Sequence, residues 1–153
     1  MTPNQAALLR EAYRRSERRL ENQQTFAVAF DGRSLLQATI IAAILAFLVA
    51  RDTDHVFGLF TGAIVFLAIS LVLALLSVYP TRFYTAGSAH GELAALIDQD
   101  ADELAVIKGL AENNDRYIER NDLAASVRVT LYRLSTIFAV LGLPLATIAL
   151  IRI

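Results

Sequence analysis

VFGLFTGAIVFLAISLVLALLSVY, residues Val56–Tyr79, runs for 24 residues without a charge. At ~1.5 Å per residue a helix of that length is about 36 Å long, enough to cross a hydrocarbon core about 30 Å thick. Two more uncharged runs accompany it, Ser34–Ala50 with 17 residues and Leu134–Ile151 with 18. As helices these reach about 26 and 27 Å. The three runs take up more than a third of the 153 residues. The expected fold is an all-α membrane protein with three transmembrane helices, a tight hairpin (34–79) and a third span (134–153). An N-terminal helix (1–33) precedes them, and a cytoplasmic helical segment (80–133) separates the hairpin from the last span.

Composition agrees with this layout. Hydrophobic residues make up 56% of the chain and charged ones 19%, with a mean hydropathy of +0.48. What remains outside the spans is too short for a sizeable independent catalytic domain. A net charge of −1 gives no electrostatic case for nucleic acid as a partner. The absence of cysteine excludes disulfides, thiolate metal sites and cysteine nucleophiles. Residues 1–33 are polar and lack the pattern of a cleavable signal peptide, so the first span itself is expected to direct the chain to the membrane.

Arginine and lysine set the expected orientation. The leading segment carries Arg10, Arg14, Arg15, Arg18, Arg19 and Arg33, and the segment 80–133 carries Arg82, Lys108, Arg116, Arg120, Arg128 and Arg133. The connection between the first two spans is only Arg51-Asp52-Thr53-Asp54-His55. Positive residues favour the cytoplasmic side. The N-terminus and the long segment are therefore expected in the cytoplasm, with the hairpin turn and C-terminus outside.

Local signals refine the elements. Thr2-Pro3-Asn4-Gln5 reads as a helix start, Pro3 being tolerated at the first helical position. The helix that follows carries Leu9, Tyr13, Leu20 and Phe26 among arginines and glutamates. It suits either a basic amphipathic helix on anionic lipid or a solvated extension of the first span. Asp31-Gly32-Arg33 marks the start of the membrane region. Ala38, Ala42 and Ala46 form a small-residue row in the first span, and Gly58 and Gly62, followed by Ala63, Ser70, Ala74 and Ser77, form one in the second. Such rows let helices approach closely. They serve either to pack the hairpin or to meet another subunit.

Tyr79-Pro80-Thr81-Arg82-Phe83-Tyr84 reads as an interfacial anchor. Ser88 is a candidate cap for a helix beginning near Gly91. Leu93, Leu96, Ile97, Leu104, Ile107, Leu110, Tyr117 and Ile118 form a stripe interrupted by Asp100 and Asn114. This stripe needs a partner, which is the N-terminal helix, a second subunit or another protein. Bends are expected at Asn113-Asn114-Asp115 and Asn121-Asp122, and a kink at Gly142-Leu143-Pro144.

Catalytic chemistry is hard to find in this chain. His55 and His90 are expected on opposite sides of the membrane and cannot share a site. Asp52, Asp54 and His55 are ordinary turn residues in so short a loop, and the acidic run Asp98, Asp100, Asp102 and Glu103 lacks calcium-loop spacing. No phosphate-binding glycine loop is present. The expectation is a protein with no catalytic residue, no metal site and no resident cofactor. No ionisable residue lies within the spans, which argues against a coupled transporter. Their polar groups include Gln37, Thr39, Thr61, Ser70, Ser135, Thr136 and Thr147.

The arrangement resembles the small transmembrane effectors of bacterial antiphage signalling, in particular the membrane effector of the Pycsar (pyrimidine cyclase) system, and more coarsely the SLATT effectors. The resemblance rests on Asp31-Gly32-Arg33 before a short first span, the tight hairpin, and Tyr79-Pro80 closing the second span. It continues through the helical segment to Arg128–Arg133, with Tyr132 leading into the last span. It implies a homo-oligomeric inner-membrane effector of abortive infection. A nucleotide cyclase would be its functional partner, and cyclic UMP or cyclic CMP the trigger for membrane damage. No β-rich nucleotide-binding domain is recognisable, so a nucleotide would lie between helices or subunits. Its phosphate partners would come from Arg82, Lys108, Arg116, Arg120, Arg128 and Arg133. Two alternatives stand beside this one. One is a membrane scaffold docking a partner on the cytoplasmic helix; the other is a holin-like protein forming lesions without a ligand.

Overall fold

The computed structural model describes residues 3–50, 57–79, 83–85 and 103–151. The regular elements among them are all helical: α1 (Pro3–Val49), α2 (Phe57–Val78) and α3 (Glu103–Ile151). Each is long and apolar enough to cross a membrane, and no strand occurs among the described residues. The hairpin turn, Arg82, Ser88, His90 and the segment from Gly91 to Asp102 lie outside them.

Helix α1 starts at Pro3 and has no break at Asp31-Gly32-Arg33. The N-terminal helix is thus continuous with the first apolar run. Helix α3 likewise runs unbroken through Asn113–Asp115, Asn121–Asp122 and Pro144. Asn114 and Asn121, at the two expected bends, lie within the helix, buried and bonded, which removes their tendency to compete for nearby backbone groups.

The inward faces follow a seven-residue repeat. In α1, Tyr13, Leu20, Ala27, Ser34, Ile41 and Leu48 form one row, and Ser16, Gln23, Phe30, Gln37 and Ile44 the second; all are buried or half-buried. In α2 the rows are Phe60, Leu67, Ala74 and Ala63, Ser70, Ser77. In α3, Asn114, Asn121, Arg128, Ser135, Gly142 and Ala149 are all buried at steps of seven. An average step of about 3.5 residues keeps one seam facing a partner helix.

The expected small-residue rows at Ala38, Ala42 and Ala46 and at Gly58 and Gly62 step by four rather than seven. A step of four drifts round the helix by about 40° each time. Ala38 is buried, but Ala42 and Ala46 are exposed, and so is Gly58, where an added Cβ would meet nothing within 4 Å. Gly62 faces Leu145 of α3. These residues do not pack the hairpin as a row. The close approach is at Gly142, whose added Cβ would lie 2.9 Å from Leu67 Cγ and 3.2 Å from Phe66 Cβ.

The chain divides into two compact units, Met1–Val28 with Thr81–Ala125, and Ala29–Pro80 with Ser126–Ile153. In the first, α1 and α3 pair in parallel: Ser16 with Asn114 and Gln23 with Asn121 are both 98 residues apart. Helix α1 is thus the observed partner of the described part of the α3 stripe. In the second unit all three helices share a core of Ile41, Leu48, Ala63, Leu67, Ala139 and Ala146.

Candidate functional site

Polar residues occupy the inward row of α3 where apolar ones would ordinarily sit. In the first unit Asn114 Nδ2 donates to Ser16 Oγ at 3.0 Å. One repeat later Asn121, 1% exposed, makes three bonds. Its Nδ2 donates to Gln23 Oε1 at 3.1 Å and to the Tyr84 carbonyl at 2.9 Å, while its Oδ1 accepts from the Tyr84 backbone N–H at 3.0 Å. One side-chain amide therefore holds both backbone groups of Tyr84. Gln23 in turn donates to Asp122 Oδ1 at 2.7 Å and the Ile118 carbonyl at 3.2 Å. Arg19 pairs with Asp122 at 2.8 Å in the open, which contributes little.

The Tyr84 ring stacks flat on Tyr117, centroids 4.6 Å apart, with the Arg120 guanidinium 5.5 Å from the ring centre. Tyr84 was expected to anchor at a membrane interface; here it belongs to a clasp of polar and aromatic groups. Asn121→Leu should release it, because a buried amide costs more to lose than a solvated one. The expected result is at least tenfold faster hydrogen exchange at the Tyr84 amide, with Asn114→Leu leaving that amide unchanged.

In the second unit the row continues with Arg128 and Ser135. Arg128, 6% exposed at its side chain, brings Nη2 to 2.8 Å from Asp31 Oδ1 and 3.3 Å from the Val78 carbonyl. The Asp31 contact is an attraction of charges without an aligned hydrogen bond. The Val78 contact places a cation at the C-terminus of α2, where unpaired carbonyls and the helix dipole favour one. Ser70 and Ser135 exchange bonds: each hydroxyl donates to the other's carbonyl at 2.7 Å, and the two oxygens lie 3.1 Å apart. Gln37 Nε2 donates to Ser135 Oγ at 3.0 Å, so all three helices meet at one polar node. Ser34 Oγ is fully buried with no hydrogen-bond partner among the described residues. Ser34→Ala should therefore raise stability by about 1 kcal/mol, read as a higher melting temperature in detergent.

No family model, curated protein or solved structure matches the chain.

The expected phosphate partners among the described residues divide between the two units. Arg82 lies outside the described residues. Lys108 faces Glu112 at 3.9 Å one turn away, Arg116 is exposed, and Arg120 donates to the Tyr84 hydroxyl at 3.3 Å. Arg128 is buried against Asp31, and Arg133 is exposed in the second unit. Lys108, Arg116 and Arg120 share the first unit. Among the described residues no group of three or more His, Asp or Glu is placed to hold a metal.

Sequence reasoning placed Ser70 and Ser77 in a small-residue row, packing the hairpin or meeting another subunit, but did not single out Asn121, Gln23, Ser16 or the Asp31–Arg128 pair as contacts. Their common signal was the seven-residue spacing of Asn114, Asn121, Arg128 and Ser135. Tyr13 has a perturbed titration. Burial, and then a hydrogen bond to Glu17, raises the Tyr13 phenol from 10.0 to about 12. The fold favours the neutral phenol, so its contribution to stability is complete below pH 10 and is lost as pH rises through about 12. Tyr13→Phe should flatten that loss, and ultraviolet phenolate absorbance should show one late-titrating tyrosine disappear.

Proposed function

We propose that this chain is a signal-gated effector of the bacterial inner membrane, with its N-terminus and first unit in the cytoplasm. It oligomerises and impairs membrane integrity when a cyclic pyrimidine nucleotide, cyclic UMP or cyclic CMP, accumulates in antiviral signalling. The observation that carries this is the row of buried polar residues on α3, Asn114, Asn121, Arg128 and Ser135, each bonded or ion-paired to another helix or to Tyr84 within one chain. A static scaffold needs only an apolar seam. In an apolar surrounding an unpaired polar group is expensive, so these residues move only if their partners are replaced. The reciprocal Ser70–Ser135 pair has such replacements in other copies of itself, at little net cost. Three helices cannot enclose an aqueous path, so a lesion would be assembled from several copies.

The test is membrane potential, read with a voltage-sensitive dye in bacteria expressing the chain with and without a pyrimidine cyclase. Depolarisation only with the active cyclase is the expected result. Depolarisation without it would support a holin-like protein, and none in either case, with the protein in the membrane, would support a scaffold.

A further inference from the structure

The second unit carries an open apolar groove between α1 and α3, of about 420 Å³. Leu36, Ile40 and Ile44 form one wall, and Ala139, Val140 and Leu143 the other. Arg33 and Tyr132 line the same groove at its polar end. Tyr132 is held edge-on against Phe30, centroids 5.4 Å apart. Among the described residues neither the Arg33 guanidinium nor the Tyr132 hydroxyl has a hydrogen-bond or ion-pair partner. Gln37 and Thr136, just below, already bond to Ser135 and the Tyr132 carbonyl.

We infer that this groove binds one anionic glycerophospholipid, its phosphate on Arg33 and Tyr132 and an acyl chain along the apolar walls. Length supports it: Arg33 to Ile44 is eleven helical steps, about 16 Å of helix, against about 15 Å for the hydrocarbon of one leaflet. Charge decides between lipid and a second copy. Parallel copies in a membrane present the same residues at the same depth, and that depth offers Arg33 and Arg133 with Asp31. Asp31 already faces Arg128. A second copy would bring like charges to Arg33, whereas an anionic headgroup brings the missing opposite one. The inference requires the second unit to lie in a bilayer but does not require gating, so the two proposals fail separately.

The test is native mass spectrometry of the full-length, delipidated protein titrated with phosphatidylglycerol and with phosphatidylcholine of identical chains. The expected result is one phosphatidylglycerol bound per chain with at least fivefold preference. Arg33→Gln should abolish the preference, Arg33→Lys should retain most of it, and Arg14→Gln, exposed in the first unit, should leave it unchanged. Ile40→Trp, which fills the groove, should weaken both lipids. Equal binding of the two lipids, a preference that survives Arg33→Gln, displacement by the chain-free headgroup glycerophosphoglycerol, or a dimer that excludes lipid would each overturn it.

Discussion

Arg128→Ala is expected to give the largest loss of stability of any single truncation in the second unit. It leaves Asp31 Oδ1 and the Val78 carbonyl without their cation. Removing one partner of a buried ion pair costs about 3–5 kcal/mol. Asp31 keeps a third of its side chain open, which places the loss toward the lower end, about 3 kcal/mol. Because the penalty comes from the orphaned charge, Arg128→Met combined with Asp31→Leu should recover most of it. Thermal unfolding in mild detergent, followed by loss of helical circular dichroism, reads both. A single variant that melts like the parent would show that the pair is dispensable.

Gly142→Val is the second. A Cβ there would sit 2.9 Å from Leu67 Cγ and 3.2 Å from Phe66 Cβ. The second contact is made by an atom fixed to the α2 backbone, so side-chain rotation alone cannot relieve it. Overpacking of this kind costs about 1–3 kcal/mol, and valine adds two methyl groups beyond alanine. The contrast is Gly58→Ala and Gly32→Ala, where the space is open. There the gain in helix propensity should leave stability unchanged or raise it by up to about 1 kcal/mol, read as an equal or higher melting temperature. Destabilisation at Gly58 with none at Gly142 would reverse the assignment of the close helix approach.

The apolar skeleton was legible in the residues and the polar seam was not. Val56–Tyr79 reads as a membrane-length helix because nothing in it demands water. Ala63, Ser70, Ala74 and Ser77 announce an inward face because they are small. Asn114 misled: on an apolar stripe it looks like an interruption, and only its bond to Ser16 shows it to be a member. Phe26 misled in the opposite direction, being large and apolar yet half exposed while Gln23 turns inward. Hydrophobicity scales rank these residues by their cost in isolation, whereas here the partner decides. Ala42 and Ala46 show the same limit in geometry, since a four-residue step and a seven-residue repeat coincide for only two turns. The arginines could be counted from sequence, but which of them answers an internal carboxylate depends on the pairing of Asp31 with Arg128, 97 residues away.

The proposed gating requires the contacts inside the second unit to open. Ser70 and Ser135 offer a lock, because their hydroxyl oxygens lie 3.1 Å apart and the chain has no native cysteine to interfere. In Ser70→Cys with Ser135→Cys, oxidation should join α2 to α3. The measurement is membrane potential in cells carrying this variant with an active pyrimidine cyclase, compared before and after oxidation. The account predicts depolarisation when the pair is reduced and none when it is cross-linked. Equal depolarisation in both states, or none in either, would contradict it.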